Sequence, residues 1–168
     1  MTTPFPLAPM CPLIRGITFS LLLLPLLLGG IAVNINLPIL AIVALLLIAL
    51  YGVIWLGCRP SGFRLTPKAF IIIFPLWRRR IPLSDIADIS QIDARQFQRQ
   101  FGWAVRIGVG GLWGCFGWLW SFRKGWIELY ISQLSEFILI KRYASNAILI
   151  TPNHCKQFIS MLKKSGCH

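Results

Sequence analysis

Cationic side chains are the most frequent candidates for chemistry in this sequence. The 168-residue chain carries 17 lysine and arginine residues against five carboxylates. Along a β-strand Arg78 and Arg80 would share one face, while Arg79 would point to the other. Such cations form either a solvated face near anionic lipid or a headgroup pocket, and each one close to the surface adds about 1 kcal/mol of attraction. The candidate lipid- or anion-binding residues are Arg78, Arg79, Arg80, Arg95, Arg99, Arg106, Arg123 and Lys124.

Acid–base, nucleophilic and metal chemistry have few candidates. Asp85 and Asp88 are three residues apart, a spacing that fits a turn partner for Ser84 better than a catalytic pair. His154 has only Cys155 as a ligand-like neighbour, which is too few for a metal site. We therefore expect no catalytic residue, no metal and no cofactor.

A segment rich in glycine and tryptophan lies between Arg106 and Arg123. It has sixteen uncharged residues, five of them glycine, which is short for a membrane span. One interpretation is a strand, a loop and a strand packed into the core, where glycine permits close backbone approach. Another is an exposed loop whose aromatic rings enter the membrane interface, and a third is a crossing or re-entrant element. The candidate interface aromatics are Trp113, Phe116, Trp118 and Trp120.

Two uncharged apolar runs precede these residues, at 17–33 and 37–57. As helices they would reach about 25 and 31 Å, against a hydrocarbon core of about 30 Å. The pattern predicts a membrane hairpin of two helices, with residues 1–57 as tail and hairpin and residues 58–168 as one further domain. A signal peptide is the competing interpretation of the first run, but no clear cleavage site follows it.

The distribution of cations predicts the orientation of the hairpin. Only Arg15 precedes the first run, and the other 16 cations lie at or after Arg59. Lysine and arginine near helix ends are retained in the cytoplasm, so we expect an integral inner-membrane protein with both termini cytoplasmic.

Short apolar segments rich in β-branched residues predict strands in the second domain. The first two, at 70–74 and 77–83, form a predicted hairpin that turns near Pro75. Residues 93–100 are polar and are interpreted as a connection, and Thr151-Pro152 is interpreted as the cap of a last helix. That helix has an apolar stripe at Cys155, Phe158, Ile159 and Leu162. The other predicted strands are 84–92, 126–131, 137–142 and 146–151.

The order of several segments resembles the bacterial pleckstrin-homology-like (PH-like) domains of small membrane proteins of unknown function. The residues that carry the resemblance are Phe63-Arg64-Leu65-Thr66, the arginine run with Ile81-Pro82-Leu83-Ser84-Asp85-Ile86, the glycine-rich stretch 106–117, and Thr151-Pro152 before Phe158. It covers about residues 60 to 164. The resemblance implies a bent, mainly antiparallel β barrel or sandwich closed by a C-terminal amphipathic helix. It implies a binding or assembly module without a catalytic residue.

These features are compatible with three functions. The first is a non-enzymatic module that mediates protein assembly at the cytoplasmic membrane face, through a protein partner or a homo-oligomer. The second is a domain that binds or senses anionic membrane lipid. The third is a subunit of a channel or transporter, since Gly110 and Gly114 have the GxxxG spacing of packed membrane helices. No nucleic-acid partner is expected, because the anchor places lipid beside the basic residues.

Overall fold

Two apolar helices joined by a short turn stand beside a β-sandwich in the computed structural model, which describes residues 3–164. Helix α1 spans Pro12–Asn34, and α2 spans Pro38–Val53 and continues as a π-helical turn over Ile54–Cys58. Both are long and apolar enough to cross a membrane, and only 17 % and 11 % of their most apolar windows are buried. The predicted helical hairpin is confirmed, with α1 beginning five residues before the apolar run.

The first sheet has four antiparallel strands in the order β1-β2-β3-β4. The predicted hairpin around Pro75 is confirmed as β3 and β4. Strand β1 was not predicted: it comes from the tail before α1 and pairs with β2 after α2. The sandwich therefore includes residues from the tail that was predicted to belong with the hairpin. The bounds are β1 Thr3–Pro6, β2 Gly62–Leu65, β3 Ala69–Ile73 and β4 Arg78–Pro82.

The second sheet has six strands in the order β5-β9-β10-β8-β7-β6. All neighbours are antiparallel except β10 and β8. The glycine-rich segment forms β6, a turn and β7, so the prediction of a strand, a loop and a strand is confirmed and the alternative of a third span is wrong. The bounds are β5 Ile86–Asp93, β6 Ala104–Gly110, β7 Cys115–Ser121, β8 Gly125–Ile131, β9 Glu136–Arg142 and β10 Ala147–Ile150.

Two further helices accompany the sheets. Helix α3, Ala94–Phe101, replaces the predicted polar connection, because Asp93 and Gln96 form a reciprocal capping box at its start. Helix α4, Cys155–Lys164, confirms the predicted amphipathic helix. Its predicted cap is wrong: the Thr151 hydroxyl accepts a hydrogen bond from the Ser132 backbone N–H at 2.9 Å and does not cap α4.

The core lies in two layers. The first, between the two sheets and α4, contains Phe63, Phe70, Ile138 and Phe158, each at most 1 % exposed. The second, between the outer face of the second sheet and α3, contains Phe101 and Leu139. The sheets form a PH-like sandwich with no closed barrel, as the predicted fold class allowed. The last four residues of the predicted domain, 165–168, lie outside the described part of the chain.

Candidate interaction site

The turn between β6 and β7 packs against the two apolar helices. The Thr18 hydroxyl of α1 lies 2.6 Å from the Gly111 carbonyl oxygen and accepts a hydrogen bond from the Trp113 N–H at 3.0 Å. Thr18 is 4 % exposed, so these backbone groups find their partner away from water. Leu112 packs with Tyr51 of α2 in a small buried cluster. The sandwich is thus joined to the helices by side-chain contacts as well as by the chain itself.

Two predictions from the sequence concern residues in or beside this turn. Trp113 is half-buried, and its ring lies 4.6 Å from that of Trp55 in an edge-to-face arrangement, so it contacts α2 rather than projecting freely. Gly110 and Gly114 lie in a strand and a turn. The GxxxG interpretation is therefore wrong here, because that motif packs helices.

Strand β6 forms one edge of the second sheet and is poorly covered. Directly opposite residues on neighbouring strands share a face, and Ile107 pairs with Trp118 while Val105 pairs with Trp120 and Trp120 with Trp126. Exposure reaches 53 % for Val105, 54 % for Ile107, 41 % for Trp118 and 43 % for Trp126. We call Val105, Ile107, Trp118, Trp120 and Trp126 the tryptophan face.

The tryptophan face extends a surface that is buried elsewhere. The same side of the second sheet continues through Tyr130 and Ile138, which pack in the core against the first sheet. Ile107, Trp118, Trp126 and Asn146 line a shallow groove of about 370 Å³ there. An apolar surface beside an unpaired strand edge is therefore left uncovered by the described chain.

Of the predicted interface aromatics, Trp118 and Trp120 belong to the tryptophan face. Phe116 was a candidate for the membrane interface but is buried: its ring is 1 % exposed and cannot reach a membrane surface. Val105, Ile107 and Trp126 were missed. The alternation of Val105, Ile107 and Val109 with Arg106 and glycine was the signal for a strand that would have found the first two.

The three consecutive arginines divide as the strand pattern predicts. Arg78 and Arg80 on β4 are exposed, whereas Arg79 turns inward. Arg79 forms a bidentate ion pair with Glu128 of β8, in which its Nη2 donates to Oε1 at 2.8 Å, and its Nη1 also donates to the Tyr130 hydroxyl at 3.3 Å. Arg79 is therefore engaged within the sandwich and is not free to bind a headgroup.

The remaining predicted cations lie in other parts of the fold. The Arg123 guanidinium donates to the Arg99 carbonyl at 3.0 Å, and Lys124 stands 5.6 Å from the Phe101 ring, so these cations gather where α3 ends beside the turn between β7 and β8. Arg95 lies in the first turn of the same helix. Arg106 on β6 donates to the Cys115 sulfur at 3.0 Å.

Ion pairs also connect neighbouring elements of the sandwich. Burial alone would lower the pKa of Arg79, but its hydrogen bonds and attraction to Glu128 outweigh this and raise it. Burial, followed by the Glu128 charge, raises the pKa of Tyr130, so its hydroxyl stays protonated as a hydrogen-bonding group. A hydrogen bond from Arg142 lowers the pKa of Asp85, and one from Lys141 lowers that of Asp88. Both carboxyls thereby tie β9 to β5 and to the turn before it.

Residues 61–166 match the bacterial PH domain family, and this range is more than half of the chain. The protein therefore belongs to the bacterial PH domain family. No curated protein and no solved structure matches it. PH domains are typically non-catalytic modules that commonly bind lipids or proteins. Among residues 3–164, no three histidine, cysteine or carboxylate side chains lie together as a metal site would need.

Proposed function

We propose that this protein is a membrane-anchored bacterial PH module that assembles with a partner protein at the cytoplasmic face of the membrane. The observation that carries the proposal is the uncovered β6 edge, whose apolar side chains continue into the tryptophan face. A strand edge offers backbone hydrogen bonds to an added strand, and exposed side chains beside it give specificity.

The arrangement of the helices supports the anchoring. Most of α1 and α2 is exposed in the described chain, with Leu26, Leu45 and Val53 each more than 60 % exposed. Exposed apolar surfaces of this size mark membrane or protein contacts, and a bilayer would cover both helices. Because β1 pairs with β2, the residues before α1 and after α2 lie on one side of the hairpin. The many cations on that side favour the cytoplasm. Cleavage after α1 would remove a strand from the first sheet, which argues against a signal peptide.

The partner that suits this edge is a β-strand of another protein with acidic side chains. The chain has a formal net charge of +12, so a second copy would bring like charges together. Arg106 lies on β6 itself and is exposed. An acidic strand would meet it with the opposite charge, which aids encounter and register.

Ile107→Lys is expected to abolish the assembly without unfolding the protein. The side chain is 54 % exposed, so a charge there remains solvated in the free protein. In a complex it would lie at the centre of β6 beside the added strand, on the apolar side of the sheet opposite Arg106, where a buried charge without a partner blocks edge pairing. The measurement is the mass of the full-length protein isolated with its partner in mild detergent, by light scattering and mass spectrometry of the bound subunits.

Leu134→Lys is the matched control, since Leu134 is 41 % exposed and lies outside the tryptophan face. We expect it to retain a stoichiometric acidic partner, while the variant at Ile107 runs as the single 19.0 kDa chain. A parent protein that is strictly monomeric, or a complex that survives Ile107→Lys, would count against the proposal. If the isolated complex is a pure homodimer, the partner is a second copy of this chain and not an acidic strand of another protein.

The lipid alternative has one specific observation in its favour. The turn between β3 and β4 exposes Leu76 and Trp77, at 71 % and 44 %, directly before Arg78. The Trp77 indole N–H also donates to the Gly57 carbonyl at 3.1 Å, which places this turn beside the end of α2. Aromatic residues are favoured at the interface between a membrane and water, and cations next to them can bind lipid phosphates.

Arg78→Glu together with Arg80→Glu is expected to remove a preference of this turn for anionic lipid. The full-length protein would be placed in nanodiscs of neutral or anionic phospholipid, and hydrogen exchange at residues 76–80 would be compared. Slower exchange in anionic discs, lost in the double variant, supports lipid binding. Lys156→Glu with Lys164→Glu makes the same change of charge on α4 and should keep the difference. Equal exchange in both lipids rules this alternative out.

A further inference from the structure

A second surface, separate from the tryptophan face, is the apolar groove between the two helices and the turn from β6 to β7. Its volume is about 610 Å³, within the usual range of ligand sites. α1 contributes Leu22, Pro25 and Leu26, and Trp113 closes one side. The remaining lining residues belong to α2 and its π-helical turn: Ile48, Tyr51, Gly52, Trp55 and Leu56.

One end of this groove carries a cation. The Arg59 guanidinium lies over the Trp55 ring, 4.1 Å from its centre. Its Nε is buried and has no hydrogen-bond partner among the described residues, and burial lowers the pKa of Arg59. The outer guanidinium nitrogens of Arg59 are not buried, so an anionic group beside Trp55 can accept hydrogen bonds from them and offset the cost of the desolvated charge.

The apolar lining and the Arg59 guanidinium are placed as the chain and the headgroup of one amphiphile would need. Ile48 and Trp55 are seven residues apart on α2, so the apolar lining extends about 10 Å along the helix from the end that carries Arg59. If α2 crosses a bilayer, this is the half nearest the sandwich. We propose that the groove binds one acyl chain of an anionic phospholipid whose phosphate is bound by Arg59.

Gly52→Leu tests the apolar part. A Cβ at Gly52 would meet nothing within 4 Å, so leucine can enter the groove without displacing backbone, and it also favours the helix. The leucine side chain would exclude about two methylene groups of the ligand from the groove, and this should weaken binding about tenfold. Gly30→Leu is the matched control, because Gly30 lies in α1 outside the groove and also has no atom within 4 Å of a Cβ.

Native mass spectrometry of the delipidated full-length protein in detergent, titrated with phosphatidylglycerol, is the measurement. We expect one tightly bound phosphatidylglycerol in the parent protein and in Gly30→Leu, and about tenfold weaker binding in Gly52→Leu. Arg59→Gln should reduce the preference for phosphatidylglycerol over uncharged diacylglycerol, whereas Arg78→Gln should not.

Three results would overturn the inference. Equal binding by Gly52→Leu and the parent would mean that no chain occupies the groove. Competition by soluble glycerol phosphate at the same concentration as phosphatidylglycerol would mean that only a headgroup is recognised. A fatty acid that binds as tightly as phosphatidylglycerol would mean that a carboxylate, and not a phosphate, is the ligand. Since the tryptophan face takes no part in this site, Ile107→Lys should bind the lipid as the parent does.

Discussion

Glu128→Gln is expected to lower the stability of the sandwich by about 3 kcal/mol, the low end of the cost of breaking a buried ion pair. Glu128 is 2 % exposed and accepts both Arg79 nitrogens, and Arg142 Nη1 lies 3.8 Å away. The amide would leave two guanidinium groups facing a neutral side chain. We use the low end of this range because the Arg79 side chain is 30 % exposed, so water compensates for part of the lost attraction between the charges.

The measurement is thermal unfolding of the full-length protein in detergent, followed by tryptophan fluorescence. A loss of about 3 kcal/mol corresponds to roughly 10–20 °C for a domain of about 110 residues. Asp88→Asn is the control, because its pair with Lys141 is exposed at 50 % and 45 % and such pairs contribute about 1 kcal/mol or less. Similar midpoints for the two variants would mean that the Glu128 pair is as well solvated as the surface one.

This ion pair illustrates how far the sequence could predict the site. Alternation along a strand was enough to predict that Arg79 points away from Arg78 and Arg80. It could not supply the partner, because Glu128 is 49 residues away and on the other sheet. A pairing between sheets depends on how they stack, which no local pattern encodes. The same limit applies to Phe116, which lies opposite Tyr130 on the side of the second sheet that faces the first sheet.

Local chemistry explains the missed helix, and topology explains the missed strand. Asp93 and Gln96 have the spacing of a capping box, so α3 could have been predicted. It was missed because its sequence is mostly polar and has only two large apolar side chains, Phe97 and Phe101. β1 contains two prolines, which disfavour strand prediction except at an edge. It occupies the edge of the first sheet, and its pairing with β2 spans the whole hairpin. The apolar runs, by contrast, were recognisable because a membrane helix needs only length and hydrophobicity.

The glycine-rich segment is the element on which the tryptophan face depends. Gly117 on β7 lies opposite Gly108 on β6, and a Cβ at Gly117 would stand 2.7 Å from the Ile107 carbonyl oxygen and 2.9 Å from the Gly108 Cα. Its φ is +127°, a backbone conformation that favours glycine. Both obstacles involve backbone, so no side-chain movement relieves them. β6 can pair closely with β7 only while this position has no side chain.

Gly117→Ala is therefore expected to separate β6 from β7. The strained φ and the steric overlap each cost about 1–3 kcal/mol, more than the edge strand of a small sheet can absorb. Hydrogen exchange of the β6 amides that are bonded to β7 should become much faster, and the proposed assembly should be lost with the edge. Gly125→Ala separates the two causes, since Gly125 has φ +73° but a Cβ there would meet nothing within 4 Å. We expect it to show the strain alone and to retain the protection of β6. If both variants lose that protection equally, backbone conformation rather than close strand approach holds the edge in place; if neither does, β6 does not depend on Gly117.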